Sequence, residues 1–275
     1  MNSSSDLGRH EISTRLTANM RILFIDYPSK EDMAQIVRDT TLCTLSGSEK
    51  TKEIIKNNPR MVESISGYLI ELFSFVKQHY IAETQNHYQF SPKDITKILD
   101  NMLCYQIEEK QDLLVALDSE CNIVFGNRLV GEDEVSKYMN MCRKLATKLL
   151  GGSLAKSDMV FSSMVTRSSE ISKVPKTDYI QLLEKFMVSY ERENFELGFC
   201  LTPQVIANIM EIEKILCKQG GKALLIGKSG SGKKVITKVI CHALNIEYDS
   251  FFIGQNYELR DFRRDLKRMI EVAGI

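Results

Sequence analysis

An α/β fold with a large helical part is predicted for this chain by two features of its sequence. Three long amphipathic stripes between residues 61 and 149 predict a helical half, and a glycine-rich run at 227–234, set between an apolar strand and a helix, predicts an αβ half. A polar break that opens with Gly151-Gly152-Ser153 separates the two.

From the amino end, Arg21-Ile22-Leu23-Phe24-Ile25-Asp26-Tyr27-Pro28 reads as a core strand ended by proline. Its apolar run with Asp26 imitates a Mg²⁺-organising strand, but it precedes the glycine-rich run, and Tyr27 stands where a catalytic glutamate would follow. Met61, Val62, Ile65, Leu69, Leu72, Phe73 and Val76 recur every three or four residues and mark one face of a long helix. Ser91-Pro92 opens a second helix, since serine caps and proline fits a first turn, with Ile95, Ile98, Leu99, Met102 and Leu103 facing inward. Val135, Tyr138, Met139, Cys142, Leu145 and Leu149 form a third stripe. The segment from Gly151 through the Ser/Lys/Thr-rich stretch is expected to be a linker or extended loop, 151–180. Thr202-Pro203 then opens a helix with Val205, Ile206, Ile209, Ile212 and Leu216 on its buried side, ended by Gly220-Gly221. Ala223 to Ile226 is expected to be a short buried strand, Val235 to Leu244 a helix, Phe251-Phe252-Ile253 a second strand, and about Leu259 to Val272 a last helix. A parallel sheet of two strands is incomplete, so the chain reads as an excerpt of a longer polypeptide.

Gly227-Lys228-Ser229-Gly230-Ser231-Gly232-Lys233-Lys234 has the spacing of a phosphate-binding loop complete but for its last residue. Glycines let such a loop curl so that backbone N–H groups converge on phosphates at a helix N-terminus. Lys233 is expected to reach the β- and γ-phosphates of ATP or ADP. Lys234 occupies the position where a Ser or Thr hydroxyl normally coordinates Mg²⁺, and an ammonium has no lone pair to offer a cation. No later apolar strand ends in Asp or Asp-Glu, so the run argues against Mg²⁺-dependent hydrolysis here.

Composition excludes several classes. The 36 basic and 36 acidic residues cancel, so no global field recruits nucleic acid or an anionic membrane. Seven scattered cysteines, without a Cys-x-x-Cys pair, suggest free thiols in a reducing compartment rather than a zinc site or disulfide framework. No apolar run reaches the ~20 residues of a membrane span, and the start has no signal-peptide core, so a soluble, cytosolic protein is expected.

Particular wordings then resemble a known family. Arg9-His10, Ser13-Thr14-Arg15-Leu16-Thr17 and the strand Ile22 to Pro28 are similar to the end of the third AAA+ large domain of dynein heavy chains. The Ile-Asp-Tyr-Pro wording is most like the intraflagellar-transport form of cytoplasmic dynein. Tyr88-Gln89-Phe90-Ser91-Pro92-Lys93-Asp94-Ile95 resembles the dynein lid motif. Phe195-Glu196-Leu197 and Gln204 to Leu216 resemble the helix leading into the fourth module, and Tyr257-Glu258-Leu259-Arg260-Asp261-Phe262-Arg263-Arg264-Asp265-Leu266-Lys267 the helix after its second strand. The likeness covers nearly the whole chain, least well 151–180.

The resemblance implies four parts: 1–28 as the end of an AAA+ large domain, 29–150 as a helical AAA+ lid, 151–180 as a linker, and 181–275 as the incomplete first half of a P-loop AAA+ αβ domain. It implies a piece of a microtubule motor ATPase of ciliary or intraflagellar, minus-end-directed transport. Its partners would be the other AAA+ modules of the same heavy chain, microtubules and accessory subunits. Its location would be cytoplasm, cytoskeleton and cilium. Arg15 matches the arginine that reaches a neighbouring module's γ-phosphate, here that of the second module, with Arg9 and Arg21 less favoured. Phe199 and Leu201 match positions that contact the adenine ring. The loop with Lys234 implies a module that holds ATP or ADP weakly or structurally, so this chain alone is not expected to hydrolyse ATP. The alternative is a free-standing regulatory or scaffold protein with a degenerate nucleotide site, and an independent kinase or small NTPase is the least favoured reading.

Overall fold

The structure, a computed structural model, describes residues 13–23, 25, 28–151, 159–166, 170–194, 198, 200–218 and 220–274. The chain forms two compact units that divide between residues 157 and 158.

The first unit is helical among its described residues: α1 (Thr14–Thr17), α2 (Lys30–Leu45), α3 (Glu49–Asn57), α4 (Met61–His79), α5 (Pro92–Met102), α6 (Lys110–Val124) and α7 (Glu132–Leu145), the last continued by a π-helical turn over Ala146–Leu150. The stripes read from the sequence are buried faces except at Leu103 and Met139, which were expected to face inward and are 59% and 38% exposed: Leu103 is already past the end of α5, and Met139 sits beside Tyr138 on the outer side of α7. Ile65, Leu69, Leu72 and Val76 of α4 are fully enclosed, and α2, α5, α7 and the π turn pack around that helix. Helix α5 contributes Ile95, Ile98, Leu99 and Met102 and packs on α6, where Leu113, Ala116, Leu117 and Cys121 face inward. Burial of each such side chain is worth about 2 kcal/mol, which is why α4, with an apolar residue on nearly every turn, organises this unit.

One carboxylate ties the second stripe in place. Ser91 and Asp94 form a reciprocal capping box at the start of α5. Asp94 is buried, and its Oδ1 accepts from the Arg128 guanidinium at 3.1 Å and the Lys97 ammonium at 3.2 Å. Burial pushes its pKa up, but the Ser91 amide, Arg128 and Lys97 together outweigh it and hold the carboxyl below the ordinary value. Arg128 also donates to the Gln89 carbonyl at 3.2 Å and lies over the Phe90 ring, 5.3 Å from its centroid. Within the Tyr88 to Ile95 wording, Ser91 is thus tied to Asp94 directly and Gln89 and Phe90 through Arg128, while the Tyr88 hydroxyl donates to Glu134.

The second unit contains an antiparallel hairpin, β1 (Met159–Ser162) and β2 (Ser172–Pro175), then α8 (Lys176–Glu193), α9 (Pro203–Leu216), α10 (Lys233–Ala243) and α11 (Leu259–Val272). Its core joins Tyr179, Leu183 and Phe186 of α8, Ile206, Ile209 and Ile212 of α9, and Ile236, Ile240 and Ala243 of α10, with Met164 from beyond β1. Thr202 caps α9, accepting from the Val205 amide at 3.3 Å. Past that helix, Gly220 takes φ +69°, and a Cβ on Gly221 would fall onto the Ile215 carbonyl. The glycine pair therefore lets the chain double back closely over the end of α9.

Three expectations are corrected. Residues read as a linker carry the hairpin and the start of α8, because pairing of Met159 with Pro175 through Ser162 with Ser172 satisfies their backbone groups. The strand expected over 21–28 is not formed among its described residues, where Ile22, Leu23 and Ile25 are 75–83% exposed, and Phe24, Asp26 and Tyr27 lie outside the described residues. The strands expected at 223–226 and 251–253 are likewise irregular. Leu225 turns toward the core while Leu224 and Ile226 stay 84% and 78% exposed, which keeps a strand's alternation without a partner to hydrogen-bond it.

Asp94→Asn is expected to lower the stability of the first unit by about 2 kcal/mol at pH 7, read by urea unfolding. Because the folded pKa is depressed, the stabilisation by Asp94 is present above its unfolded pKa of about 4 and is lost as pH falls through the folded value. The gap between wild type and variant should therefore narrow on going from pH 6 to pH 3, and a gap that stays constant refutes this assignment.

Candidate nucleotide-binding site

The loop 227–232 ends where α10 begins, and its shape follows from its glycines. Gly230 and Gly232 take φ of +81° and +79°, in the left-handed region that side chains disfavour. A Cβ on Gly227 would sit 3.1 Å from Ser231 Oγ, a tight approach, and in ordinary contact with Lys233 Nζ at 3.7 Å. The Ser231 hydroxyl closes the turn by donating to the Lys228 carbonyl at 2.9 Å.

Lys233 is folded back into this turn. Its ammonium donates to the Gly227 carbonyl at 2.8 Å, the Lys228 carbonyl at 2.6 Å and Ser231 Oγ at 3.0 Å. A positive charge is thus pinned at the mouth of a backbone curl. Behind it, α10 has no acidic residue in its first turn, and its N-cap, Gly232, has no side chain with which to cap. The positive end of the helix dipole, Lys233 and the exposed Lys234 all coincide there. Like charges gathered this way are unfavourable unless an anion joins them, and the arrangement fits a polyphosphate. Lys238, one turn further, lies over the Tyr248 ring, 5.6 Å from its centroid.

A Mg²⁺ ion fits less well. Position 234 supplies an ammonium rather than a hydroxyl, and among the described residues no group of three His, Cys, Asp or Glu side chains is placed to hold a metal.

The remaining sequence candidates are Arg15, Leu201 and Phe199. Arg15 is in the first unit, on the single exposed turn α1, while the loop is in the second. Leu201 is partly buried against the α8–α9–α10 core. Phe199 lies outside the described residues. What the sequence reading missed is Glu213, wholly buried on α9 and bonded to Ser162, Ser163, Met164 and Tyr179. A signal was present, since 213 follows Ile209 by four positions and so places a carboxylate on the apolar face of that helix.

Comparison with known proteins agrees with both units. Residues 50–135 match the family model of the dynein heavy chain ATPase lid domain, and residues 197–275 match that of the P-loop-containing dynein motor region D4. The whole chain aligns at 27% identity with cytoplasmic dynein 2 heavy chain 1 of Chlamydomonas reinhardtii, covering 6% of that protein. It aligns over its whole length at 25% with the same-named protein of Mus musculus, covering 7%, and over 98% of its length at 25% with the cytoplasmic dynein heavy chain of Saccharomyces cerevisiae, covering 6%. The chain therefore spans only a small part of the length of these relatives. With a lid model on its helical half, a motor-region model on its P-loop half and alignment to these heavy chains along its length, the chain belongs to the dynein heavy chain family.

Proposed function

We propose that this chain supplies a dynein-type AAA+ ring with a lid and with a nucleotide-holding, non-hydrolysing phosphate loop. The observation that carries the reading is the loop itself: two left-handed glycines, the Lys233 ammonium held among its carbonyls, and a second lysine where a metal-binding hydroxyl is usual. The backbone N–H groups of 228–234 and Lys233 would bind the β- and γ-phosphates of ATP or ADP, and Lys234 would replace part of the charge that Mg²⁺ normally supplies. Phe199 and Leu201 would offer an apolar face to the adenine ring. Arg15 would serve the second module's nucleotide as a planar, permanently charged fork.

The full heavy chain would hydrolyse ATP elsewhere and move toward microtubule minus ends in the cytoplasm and cilium, with accessory subunits. The alignment with dynein 2 heavy chains supports the ciliary assignment.

Calorimetric titration of the 275-residue chain with ATP tests the site. Lys233→Ala should weaken binding by about 10- to 100-fold, the worth of a charged hydrogen-bonding partner. Lys234→Thr should make affinity rise when Mg²⁺ is added, whereas wild-type affinity should be nearly the same with Mg²⁺ or with EDTA. Phosphate release by the wild-type chain should stay at the level of the Lys233→Ala variant. Turnover that Lys233→Ala abolishes would overturn the non-hydrolysing assignment.

A further inference from the structure

Glu213 is an acidic side chain with no accessible surface, on the helix that leads into the phosphate loop. Burying a carboxylate is costly unless its lone pairs are occupied. Here Oε1 accepts from Ser162 Oγ at 2.8 Å, Ser163 N at 2.6 Å, Ser163 Oγ at 2.9 Å and Met164 N at 3.0 Å, and Oε2 accepts from Tyr179 OH at 2.9 Å. The donors come from the end of β1, the two residues that follow it, and the first turn of α8. A two-stranded hairpin is marginal by itself, and the residue that anchors this one lies about fifty positions away in sequence.

Within the same turn of α9, Ile209 and Ile212 enter the core that holds Ile236 and Ile240 of α10. Helix α10 begins with Lys233, so its axial position sets where Lys233, Lys234 and the first-turn amides lie. A helix is stiff over one turn. Glu213 and the isoleucines beside it thus lie between the hairpin and α10.

We propose that Glu213 is a positioning residue that couples the β1–β2 hairpin to the phosphate loop, so that the two act as one element. The ligand readout below rests on the nucleotide reading above, whereas the exchange readout does not. Glu213→Gln keeps the shape but removes the charge and turns a donor toward Tyr179 OH. In the 275-residue chain it should speed hydrogen exchange at the Ser163 and Met164 amides by about tenfold and carry α10 amides from Ile236 to Ile240 with them, leaving α4 unchanged. At a temperature where circular dichroism shows complete folding, it should also weaken ATP binding by about fivefold, equivalent to about 1 kcal/mol.

Faster hairpin exchange with α10 exchange and ATP affinity unmoved would overturn the coupling. So would uniform acceleration throughout α8, α9 and α10 with affinity unchanged, which marks a merely structural role. If wild type binds no ATP, the nucleotide reading fails by itself and α10 exchange still decides. If Glu213→Gln does not fold, Ser163→Ala, which removes one donor and keeps the charge, should show the same pattern more weakly, and no change at α10 would again overturn the proposal.

Discussion

A helix pairs its own backbone groups, whereas a strand must find a neighbour, and much of this chain's architecture follows from that asymmetry. The first unit is built of segments that need only bury one face, so α4 can gather α2, α5 and α7 around Ile65, Leu69, Leu72 and Val76. In the second unit β1 and β2 supply each other's partners and form. Residues 223–226 have the same apolar character and no partner among the described residues, and they remain extended and irregular with Leu224 and Ile226 in solvent. Phe252 at 90% exposure and Ile253 obey the same rule. The amphipathic α11 forms because its backbone needs no neighbour, although none of its side chains is buried.

Electrostatics enters where packing leaves off. Asp94 and Glu213 are both buried carboxylates, yet they are compensated differently. Asp94 has two cations and an amide, which together pull its proton affinity down. Glu213 is bonded by hydroxyls and backbone amides, and Tyr179, whose own ionisation is strongly opposed first by burial and then by Glu213, remains a donor to it. The first arrangement fixes a helix start and the second fixes three elements at once. At the phosphate loop the imbalance is opposite in sign, since lysines and a helix N-terminus converge without a carboxylate in the first turn. An anion would resolve that imbalance, and the proposed phosphate reading rests on it.

The long stripes of the helical half were legible in the sequence, whereas α2, α3 and α6 were not individually read from it. The stripe from Met61 to Val76, the Ser91-Pro92 start and the Thr202-Pro203 start are local signals, carried by residues three or four apart or by a cap and its first turn. The loop was legible for the same reason, because its glycines and Lys233 act within eight residues of one another. The hairpin was not, since Ser162, Ser163 and Met164 are ordered by Glu213 from another element. Nor was the packing of Leu201, whose position in the α8–α9–α10 core depends on three helices meeting.

The sequence by itself marked helices α4, α5, α7, α9, α10 and α11, the Ser91 and Thr202 caps, and a glycine-rich run with lysine at position 234, because each depends on near neighbours along the chain. Only the tertiary structure decided which apolar segments became strands, that residues 159–175 form a hairpin, and that Glu213 holds it to α9. Those outcomes require hydrogen-bond partners from distant parts of the chain, and whether such a partner arrives is a property of the fold rather than of any local run of residues.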